Sequence, residues 1–332
     1  NTFALLDKEN LVNIVKYEDE INELVQTNRD YVVKIEEDIE IDIDATLGVA
    51  IFQDNALKKA NNALKIAKKT HKRYVVYNNT YDVDDITENI KLWRDRIKDA
   101  IENDLITPFY QPIYNRENKI EKYETLMRMK EVDEKDEVKY ISPFFFLEIA
   151  TKTKQYSRLS EIVIRKSLLF AKQNGHHVSI NLGFSDIEDP NILHMLDEFF
   201  NKETKNFCSQ VVFEILESDH ITDYKIFEEF VFKYRKLGLR FAIDDFGTGY
   251  SNFTHILTVR PDYLKIDGSL IKNIHEDKDS YELVKSIVRF SEELNIKTIA
   301  EYIHNEEVYN LAYNLGIDEF QGFYLSEPKV EI

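Results

Sequence analysis

Residues 241–251 read Phe-Ala-Ile-Asp-Asp-Phe-Gly-Thr-Gly-Tyr-Ser, an apolar strand that ends in two adjacent acids and continues into a loop with two glycines. An unpaired carboxylate is costly to bury, so Asp244 and Asp245 must be exposed, paired or bound to a cation. Gly247 and Gly249 give the backbone the freedom that a tight loop beside a ligand requires. The segment therefore indicates either a metal site at the end of a strand or an ordinary surface turn, since Asp and Gly are also common in turns.

The composition is that of a globular chain with little long-range attraction for anions. The 332 residues are 43% hydrophobic, enough for one large barrel or about two domains. The formal net charge of -18 disfavours binding to a DNA or RNA polymer or to an anionic membrane, so an anionic ligand would need bridging cations. A single cysteine, Cys208, excludes an internal disulfide and a cysteine-rich metal site, and it suits a reducing cytoplasm.

No apolar run of about 18 residues predicts a membrane span, so we expect this segment to be cytoplasmic. The chain begins at Asn1 rather than at a methionine, which is typical of a fragment. An upstream part with sensor or regulatory domains could therefore anchor the full-length protein to a membrane.

From Leu105 onward, apolar strands alternate with amphipathic helical patterns. The strands are predicted at residues 109–113, 123–129, 177–182, 211–216, 240–246, 263–267, 297–303 and 320–325. Helices are predicted between them at residues 144–153, 157–173, 226–237 and 280–294. This alternation predicts an α/β fold, a closed TIM-like (β/α)8 barrel over residues 105–332.

The first 80 residues predict a smaller α/β unit. Its elements are strands at residues 3–6, 41–43 and 74–77 and helices near 17–25 and at 56–69. Residues 81–104 then place Ile86, Ile90, Trp93 and Ile97 at helical spacing, which predicts an amphipathic helix. This helix is either a connector between two domains or a packing helix of the barrel.

Polar residues interrupt the predicted strands near their carboxyl ends, where a barrel of this kind places its active site. These residues are Glu124, Asn181, Glu214, Lys265 and Glu301. Each alone has a simpler explanation, because a strand can present an acid to solvent, an asparagine can lie in a turn, and a lysine can extend its head to the surface. Their recurrence on five strands, together with Asp244 and Asp245, favours one shared site.

The residue types predict a site for hard cations. Carboxylates and one amide, without cysteine, suit Mg²⁺ or Mn²⁺ better than Zn²⁺. Two such ions could share Asp244 as a bridge and hold a water for in-line attack on phosphorus. Lys265 would balance the charge that develops on the phosphoryl oxygens or position the nucleophile. The expected class is therefore a phosphodiester hydrolase.

Together these motifs resemble the EAL-domain phosphodiesterases, which hydrolyse the bacterial second messenger cyclic di-GMP. The resemblance covers residues 105–330. Its segments are residues 109–113, Glu124-Thr125-Leu126 with Thr in place of Ala, Arg128, the strand around Asn181, residues 214–217 with Leu216 in place of Thr, and residues 244–251, 264–267 and 321–323. It implies the EAL type of barrel and hydrolysis of cyclic di-GMP to linear pGpG by a metal-bound water.

The resemblance also implies a role for each matching residue. One metal ion would be held by Glu124, Asn181, Glu214 and Asp244, and the second by Asp244, Asp245 and Glu301. The catalytic set would be Lys265, which contacts the water, with Glu301 and with Glu217, which braces the loop after the aspartate pair. The residues that contact the substrate or order the site would be Gln111, Arg128, Gln321 and Asp267.

One segment departs from the family pattern Ala-Glu-Gly-Val-Glu-Thr. Residues 300–305 read Ala-Glu-Tyr-Ile-His-Asn, so Tyr302 replaces the glycine and His304 replaces the second acid. The lost negative charge is expected to weaken the second metal, although a histidine can also ligate an ion or have no role. A catalytically weak or inactive cyclic di-GMP receptor or scaffold therefore stands as the alternative to the enzyme, and an unrelated magnesium-dependent barrel hydrolase as a third reading.

Residues 1–80 resemble the second half of a GGDEF domain, the fold that synthesises the same messenger. The matching segments are residues 46–50, 60–68 and 73–77. Asn1 and Thr2 stand where the acidic signature should end, so synthesis is not expected. The resemblance implies a partial, degenerate domain that acts as a regulatory or dimerising partner, and a homodimer is plausible for the barrel.

Overall fold

The computed structural model describes residues 2–5, 11–14, 31–36, 39–43, 47–50, 56–69, 74–77, 86–132, 137–216, 224–247 and 260–332. The chain divides into two compact units, Asn1–Lys91 and Leu92–Ile332. The helix predicted near residues 17–25, Glu217 and the loop 248–251 lie outside the described residues.

The first unit contains paired short strands and one described helix. Its elements are β1 (Thr2–Leu5), β2 (Leu11–Ile14), β3 (Tyr31–Glu36), β4 (Ile39–Ile43), β5 (Leu47–Val49), α1 (Ala56–Lys69) and β6 (Tyr74–Val76). Strands β1 and β2 pair antiparallel, as do β3 and β4, whereas β5 and β6 pair in parallel across α1. Ala63 and Ala67 of α1 are buried with Val75 and Tyr77, which gives this β-α-β segment a small core.

The second unit is built around a closed barrel of eight strands. These strands are β7 (Ile106–Asn115), β8 (Ile120–Val132), β10 (Val178–Asn181), β11 (Val211–Leu216), β12 (Arg240–Phe246), β13 (Tyr263–Ile266), β14 (Lys297–Ala300) and β15 (Glu319–Phe320). Their order around the barrel follows the chain, and β15 pairs with β7 to close it. A further strand, β9 (Val138–Ile141), pairs antiparallel with the far end of β8. The predicted closed (β/α)8 barrel is confirmed.

Helices precede and connect the strands of the barrel. They are α2 (Ile86–Glu102), α3 (Leu147–Lys152), α4 (Tyr156–Asn174), α5 (Phe184–Glu188), α6 (Pro190–Phe200), α7 (Lys205–Cys208), α8 (Tyr224–Leu237), α9 (Gly268–Ile271), α10 (Lys278–Leu294) and α11 (Glu306–Asn314). A short 3₁₀ turn, Pro143–Phe145, precedes α3. Among the described residues, no helix combines the length and the apolar character needed to cross a bilayer.

The first barrel strand, β7, runs antiparallel to both of its neighbours. It is joined to β8 by a turn of residues 116–119, in which the Asn115 Oδ1 accepts hydrogen bonds from the backbone N–H of Glu117 (3.1 Å) and Lys119 (3.0 Å). A parallel connection needs about a dozen residues or more, so this short turn allows only a hairpin. The barrel is therefore TIM-like with its first strand reversed.

Along four of the parallel strands, the side chains that face the barrel interior change from apolar to charged. An apolar cluster inside the barrel is formed by Ile113, Val212, Ala242, Tyr263 and Ile299. Two positions further along stand Glu214 on β11, Asp244 on β12, Lys265 on β13 and Glu301, which directly follows β14. Because strand side chains alternate between faces, residues two apart share one face, and the charged residues form a layer above the apolar one.

Candidate active site

Lys265 lies at the centre of the charged layer. Its side chain is fully buried, and its Nζ lies 2.8 Å from Glu301 Oε1, 2.9 Å from Asp244 Oδ1, 2.9 Å from Glu214 Oε2 and 3.6 Å from Glu124 Oε2. Burial opposes the charge of this ammonium, but the surrounding carboxylates outweigh the burial and hold the pKa of Lys265 well above its usual value. The lysine is therefore a permanent cation that joins four strands.

The carboxylates carry more negative charge than Lys265 can balance. Burial raises the pKa of Glu214 to about 8. Burial, followed by the adjacent charge of Asp244, raises the pKa of Asp245 to about 7. The pKa values of Asp244 and Glu301 also lie above their ordinary values, in both cases mainly because of burial. Further positive charge at this site would be strongly stabilised.

Glu124 is the exception among these acids. Burial raises its pKa, but the charge of Lys265 and hydrogen bonds from two side-chain amides outweigh this effect, and the pKa lies below its ordinary value. The amides are those of Gln321, whose Nε2 lies 2.5 Å from Glu124 Oε2, and Asn181, whose Nδ2 lies 3.0 Å from Oε1. Gln321 also donates to Gln111 Oε1 at 3.1 Å. Lys265 and two amides thus keep Glu124 ionised, and Gln111 fixes one of these amides by accepting from it.

Asp244 and Asp245 are adjacent in sequence, yet both reach the site. Successive side chains of a regular strand point to opposite faces. The register of β12 against β13 shifts between Ile243 and Phe246, and Asp245 has a left-handed backbone with φ of 56°. This bulge redirects the second carboxylate, so that ligand oxygens of Asp244, Asp245 and Glu301 lie within 4.8 Å of one another.

Gly247 continues the bulge and could not be replaced without disturbance. Its φ is 103°, and a Cβ at this position would lie 2.5 Å from Leu270 Cδ1. The sequence predicted this need for a glycine beside the aspartate pair.

The acids form two groups that share one member. One group is Glu124, Glu214 and Asp244, and the other is Asp244, Asp245 and Glu301, each with its ligand oxygens within 4.8 Å. Glu214 Oε1 is buried and accepts no hydrogen bond of normal geometry from the described residues, which leaves a lone pair for a cation. Oxygen ligands in this number fit a hard divalent cation such as Mg²⁺ or Mn²⁺.

Three further residues predicted from the sequence, Asp267, Arg128 and Glu217, differ in their relation to this cluster. Asp267 begins α9, where its Oδ1 accepts the Ser269 N–H at 2.8 Å, and its carboxyl shares a hydrogen bond with Asp245. Arg128 makes no hydrogen bond or ion pair with the acids in the described part of the chain; its guanidinium donates to the Met127 carbonyl and lies over the Phe109 ring. The predicted catalytic Glu217 lies outside the described residues.

The two departures from the family pattern take different positions. His304 is exposed, with Nδ1 3.3 Å from the Tyr302 carbonyl and Nε2 3.0 Å from the Asn305 amide, and it belongs to neither carboxylate group. Tyr302 has a left-handed backbone with φ of 56° and lies against Gly268. This contact was not predicted from the sequence, although a tyrosine at a family glycine position was a signal for it.

A TIM-like barrel with a reversed first strand and a carboxylate-lysine cluster at the carboxyl ends of its strands defines a class of barrel proteins with a buried acidic site. Residues 94–328 match the model of the EAL domain, and the chain belongs to this family. The predicted family is thereby confirmed for the barrel.

Among its relatives is cyclic di-GMP phosphodiesterase PdeB of Shewanella oneidensis, which is 30% identical over 251 residues, 73% of this chain and 28% of the relative. Cyclic di-GMP phosphodiesterase PdeF of Escherichia coli is 33% identical over 239 residues, 70% of this chain and 31% of the relative. The chain thus spans less than a third of the length of these two relatives. A solved manganese/cy-diGMP complex of Klebsiella pneumoniae BlrP1 is 26% identical, with a TM-score of 0.57 over 68% of this chain and 56% of that one.

Proposed function

We propose that this chain is a metal-dependent phosphodiesterase that hydrolyses cyclic di-GMP to linear pGpG. The observation that carries the proposal is the buried cluster of carboxylates around Lys265, which is present in a chain whose EAL relatives are named cyclic di-GMP phosphodiesterases. A cyclic dinucleotide carries two anionic phosphodiesters. A chain of net charge -18 needs cations to bring such a substrate to an acidic site.

Two divalent cations, Mg²⁺ or Mn²⁺, would occupy the two carboxylate groups. The first would be held by Glu124, Asn181, Glu214 and Asp244, and the second by Asp244, Asp245 and Glu301. When bound, the ions would supply Lewis-acid polarisation of the phosphodiester and a water of lowered pKa.

The protein side chains would then position the reactants. Lys265 would donate a hydrogen bond to the attacking water and offset charge on the phosphoryl oxygens, and Glu301 would orient that ammonium. Glu217 would brace the loop after the aspartate pair. The residues proposed to contact the dinucleotide or order its site are Gln111, Arg128, Gln321 and Asp267. Hydrolysis breaks one ring P–O3′ bond, and the released 3′ oxygen takes up the proton of the water.

We also propose a domain assignment for the whole chain. Residues 1–80 would be the second half of a degenerate GGDEF domain, residues 81–104 a connector helix and residues 105–332 the phosphodiesterase barrel. The parallel β5-α1-β6 segment supports an α/β assignment for the first part. A cytoplasmic location, a homodimer and upstream sensor or regulatory domains complete the proposal.

The test is incubation of the purified chain with cyclic di-GMP and either Mg²⁺ or Mn²⁺, with EDTA controls and chromatographic separation of the products. We expect metal-dependent pGpG. Asp244→Asn should abolish turnover because Asp244 belongs to both carboxylate groups, whereas the exposed Asp95→Asn serves as the matched control and should not change it. Substantial turnover by Asp244→Asn would contradict the two-metal assignment.

The second candidate is a cyclic di-GMP receptor without turnover, which the replacement of the family's second acid by His304 favours. The same experiment separates the two. Binding of cyclic di-GMP without pGpG would make the chain a receptor, and the absence of both would contradict the proposed substrate.

A further inference from the structure

Tyr302 has a backbone conformation that favours glycine. Its φ is 56°, and it directly follows Glu301, whose carboxylate contacts Lys265. A bulky residue in the left-handed region is uncommon and is retained where the surroundings determine it. The tyrosine side chain must therefore make a contact that a glycine could not make.

That contact is with Gly268. A Cβ placed on Gly268 would lie 2.6 Å from the Tyr302 Cβ and 3.2 Å from its Cγ, so the tyrosine side chain occupies the space that a side chain at Gly268 would need. The tyrosine is otherwise 55% exposed. The two residues form a complementary pair in which one lacks a side chain and the other fills the gap.

One segment of this pair carries Glu301, a member of the carboxylate group with Asp244 and Asp245, and the other carries a residue that contacts Asp245. On one side, Glu301 precedes Tyr302, and its backbone N–H donates to the Ile266 carbonyl at 3.2 Å. On the other side, Gly268 follows Asp267, whose carboxyl shares a hydrogen bond with Asp245. The contact of Tyr302 with Gly268 therefore joins the segment that carries Glu301 to the segment that supports Asp245.

We propose that Tyr302 is a positioning residue that locks against Gly268 and holds Glu301 and Asp245 at the spacing needed to bind a divalent cation. A glycine at position 302 would leave the Glu301 segment free to sample other conformations, which would have to be ordered when the ion binds. The tyrosine orders that segment in advance and so strengthens binding of the ion. The inference rests on the proposed function only for the class of ligand, a divalent cation.

The experiment measures Mn²⁺ binding to the full chain by isothermal titration calorimetry, without substrate. Tyr302→Gly should weaken the site formed with Asp245 and Glu301 about tenfold, as is typical when a residue that supports metal ligands is removed. Tyr302→Phe retains the side chain on Gly268 and should bind as the unchanged protein does. Lys154→Gly is the matched control, because Lys154 also has a left-handed backbone, φ 60°, in the connection between α3 and α4.

Gly268→Ala makes the test specific to the pair. The added methyl group should weaken Mn²⁺ binding in the presence of Tyr302, whereas the same change in the Tyr302→Gly background should add little, because the clashing side chain is gone. Additive effects of the two substitutions, or unchanged Mn²⁺ affinity of Tyr302→Gly, would overturn the inference. A change in the KM for cyclic di-GMP with unchanged Mn²⁺ affinity would also overturn it, since the ring would then act on the substrate.

The metal measurement stands apart from the proposed activity. If the chain bound Mn²⁺ with this coupling but did not hydrolyse cyclic di-GMP, the proposed enzymatic function would be wrong and the positioning role would stand. If the chain hydrolysed cyclic di-GMP but Tyr302→Gly left the Mn²⁺ affinity unchanged, the proposed enzymatic function would stand and the positioning role would be wrong.

Discussion

Lys265 is the residue on which the folded, metal-free site depends. Its ammonium contacts Glu214, Asp244 and Glu301 at 2.8–2.9 Å in a fully buried position. We expect Lys265→Met to lower the free energy of unfolding by about 3–5 kcal/mol in EDTA, because removal of one partner leaves buried carboxylates uncompensated. Urea unfolding measures this change.

Addition of Mn²⁺ and a control variant test the role of Lys265 further. Mn²⁺ should restore part of the lost stability of Lys265→Met, since a cation replaces the missing positive charge. The control is Lys98→Met, because Lys98 is exposed and its ion pair with Glu102 contributes less than about 0.5 kcal/mol. Equal effects of the two substitutions would contradict the central role of Lys265.

The acids predict a specific dependence of stability on pH. The folded-state pKa of Glu214 is about 8 and that of Asp245 about 7, above their ordinary values of 4.5 and 3.8. The unfolded chain loses these protons near pH 4, whereas the folded chain retains them, so the metal-free protein should lose stability as pH rises from about 4 to about 8. Bound Mn²⁺ removes this penalty, so the rise in Tm caused by Mn²⁺ should be larger at about pH 8 than at about pH 6. Thermal unfolding with Mn²⁺ or EDTA measures it, and a gain in Tm that falls with pH would contradict it.

For single residues, the sequence predicted which side chains belong to the site better than it predicted their backbone conformations. Glu124, Glu214 and Lys265 could be predicted as site residues because a charged side chain within an apolar strand is costly to bury without a partner or a ligand. The left-handed backbones of Asp245 and Tyr302 were not, because φ at one residue depends on the register of β12 and on the space beside Gly268. Contacts between distant segments decide those dihedral angles.

Among the secondary-structure elements, the positions of the strands were easier to predict than their directions. All eight barrel strands were predicted from apolar runs between helical patterns, because strands covered on both faces are apolar on both. The last strand is shorter than predicted, Glu319–Phe320 rather than residues 320–325. The reversed direction of β7 was missed, although the predicted strands at 109–113 and 123–129 left only nine residues between them. That gap is shorter than a parallel crossover requires, so the signal was present in the sequence.

A buried ion pair at the other end of the barrel links β8 to β15. Lys122 and Glu319 are both 1% exposed and in contact, and the Lys122 Nζ lies 3.7 Å above the Tyr263 ring. Burial lowers the pKa of Lys122 despite the charge of Glu319, which shows how weakly this lysine is solvated. We expect Glu319→Gln to lower the free energy of unfolding by about 3 kcal/mol, because it leaves the ammonium buried without its counter-charge.

The double variant Lys122→Met with Glu319→Leu tests the reason for that loss. Replacement of both members by apolar residues should recover most of the stability lost in Glu319→Gln, because no charge remains buried. Urea unfolding of the two variants makes the comparison. A double variant less stable than Glu319→Gln would show that the pair itself, and not the unpaired charge, holds β8 and β15 together.

Over the whole molecule, the sequence predicted the class of site because the EAL motifs are spread along the barrel in order. Gln111 stands on β7 and Gln321 directly follows β15, and the two side chains meet 3.1 Å apart where the barrel closes. Because the first and last barrel strands both contribute to the site, the site forms only when the sheet closes. The contacts of residues at the edge of the site, such as Arg128, were harder to predict for that reason.

The division of the chain into two compact units permits a direct test of the first one. Helix α2 should be kept whole, because its Ile97 is fully buried in the second unit and its Trp93 ring lies 6.3 Å from Phe146. We expect residues 86–332 to fold alone and to retain metal-dependent hydrolysis of cyclic di-GMP, since the described acids around Lys265 all lie within this segment. If the first unit is a regulatory or dimerising partner, its deletion should change either the turnover rate or the oligomeric state, measured by chromatography of pGpG and by light scattering. Unchanged values of both would mean that the N-terminal residues have neither role, whereas loss of folding would show that the barrel depends on them.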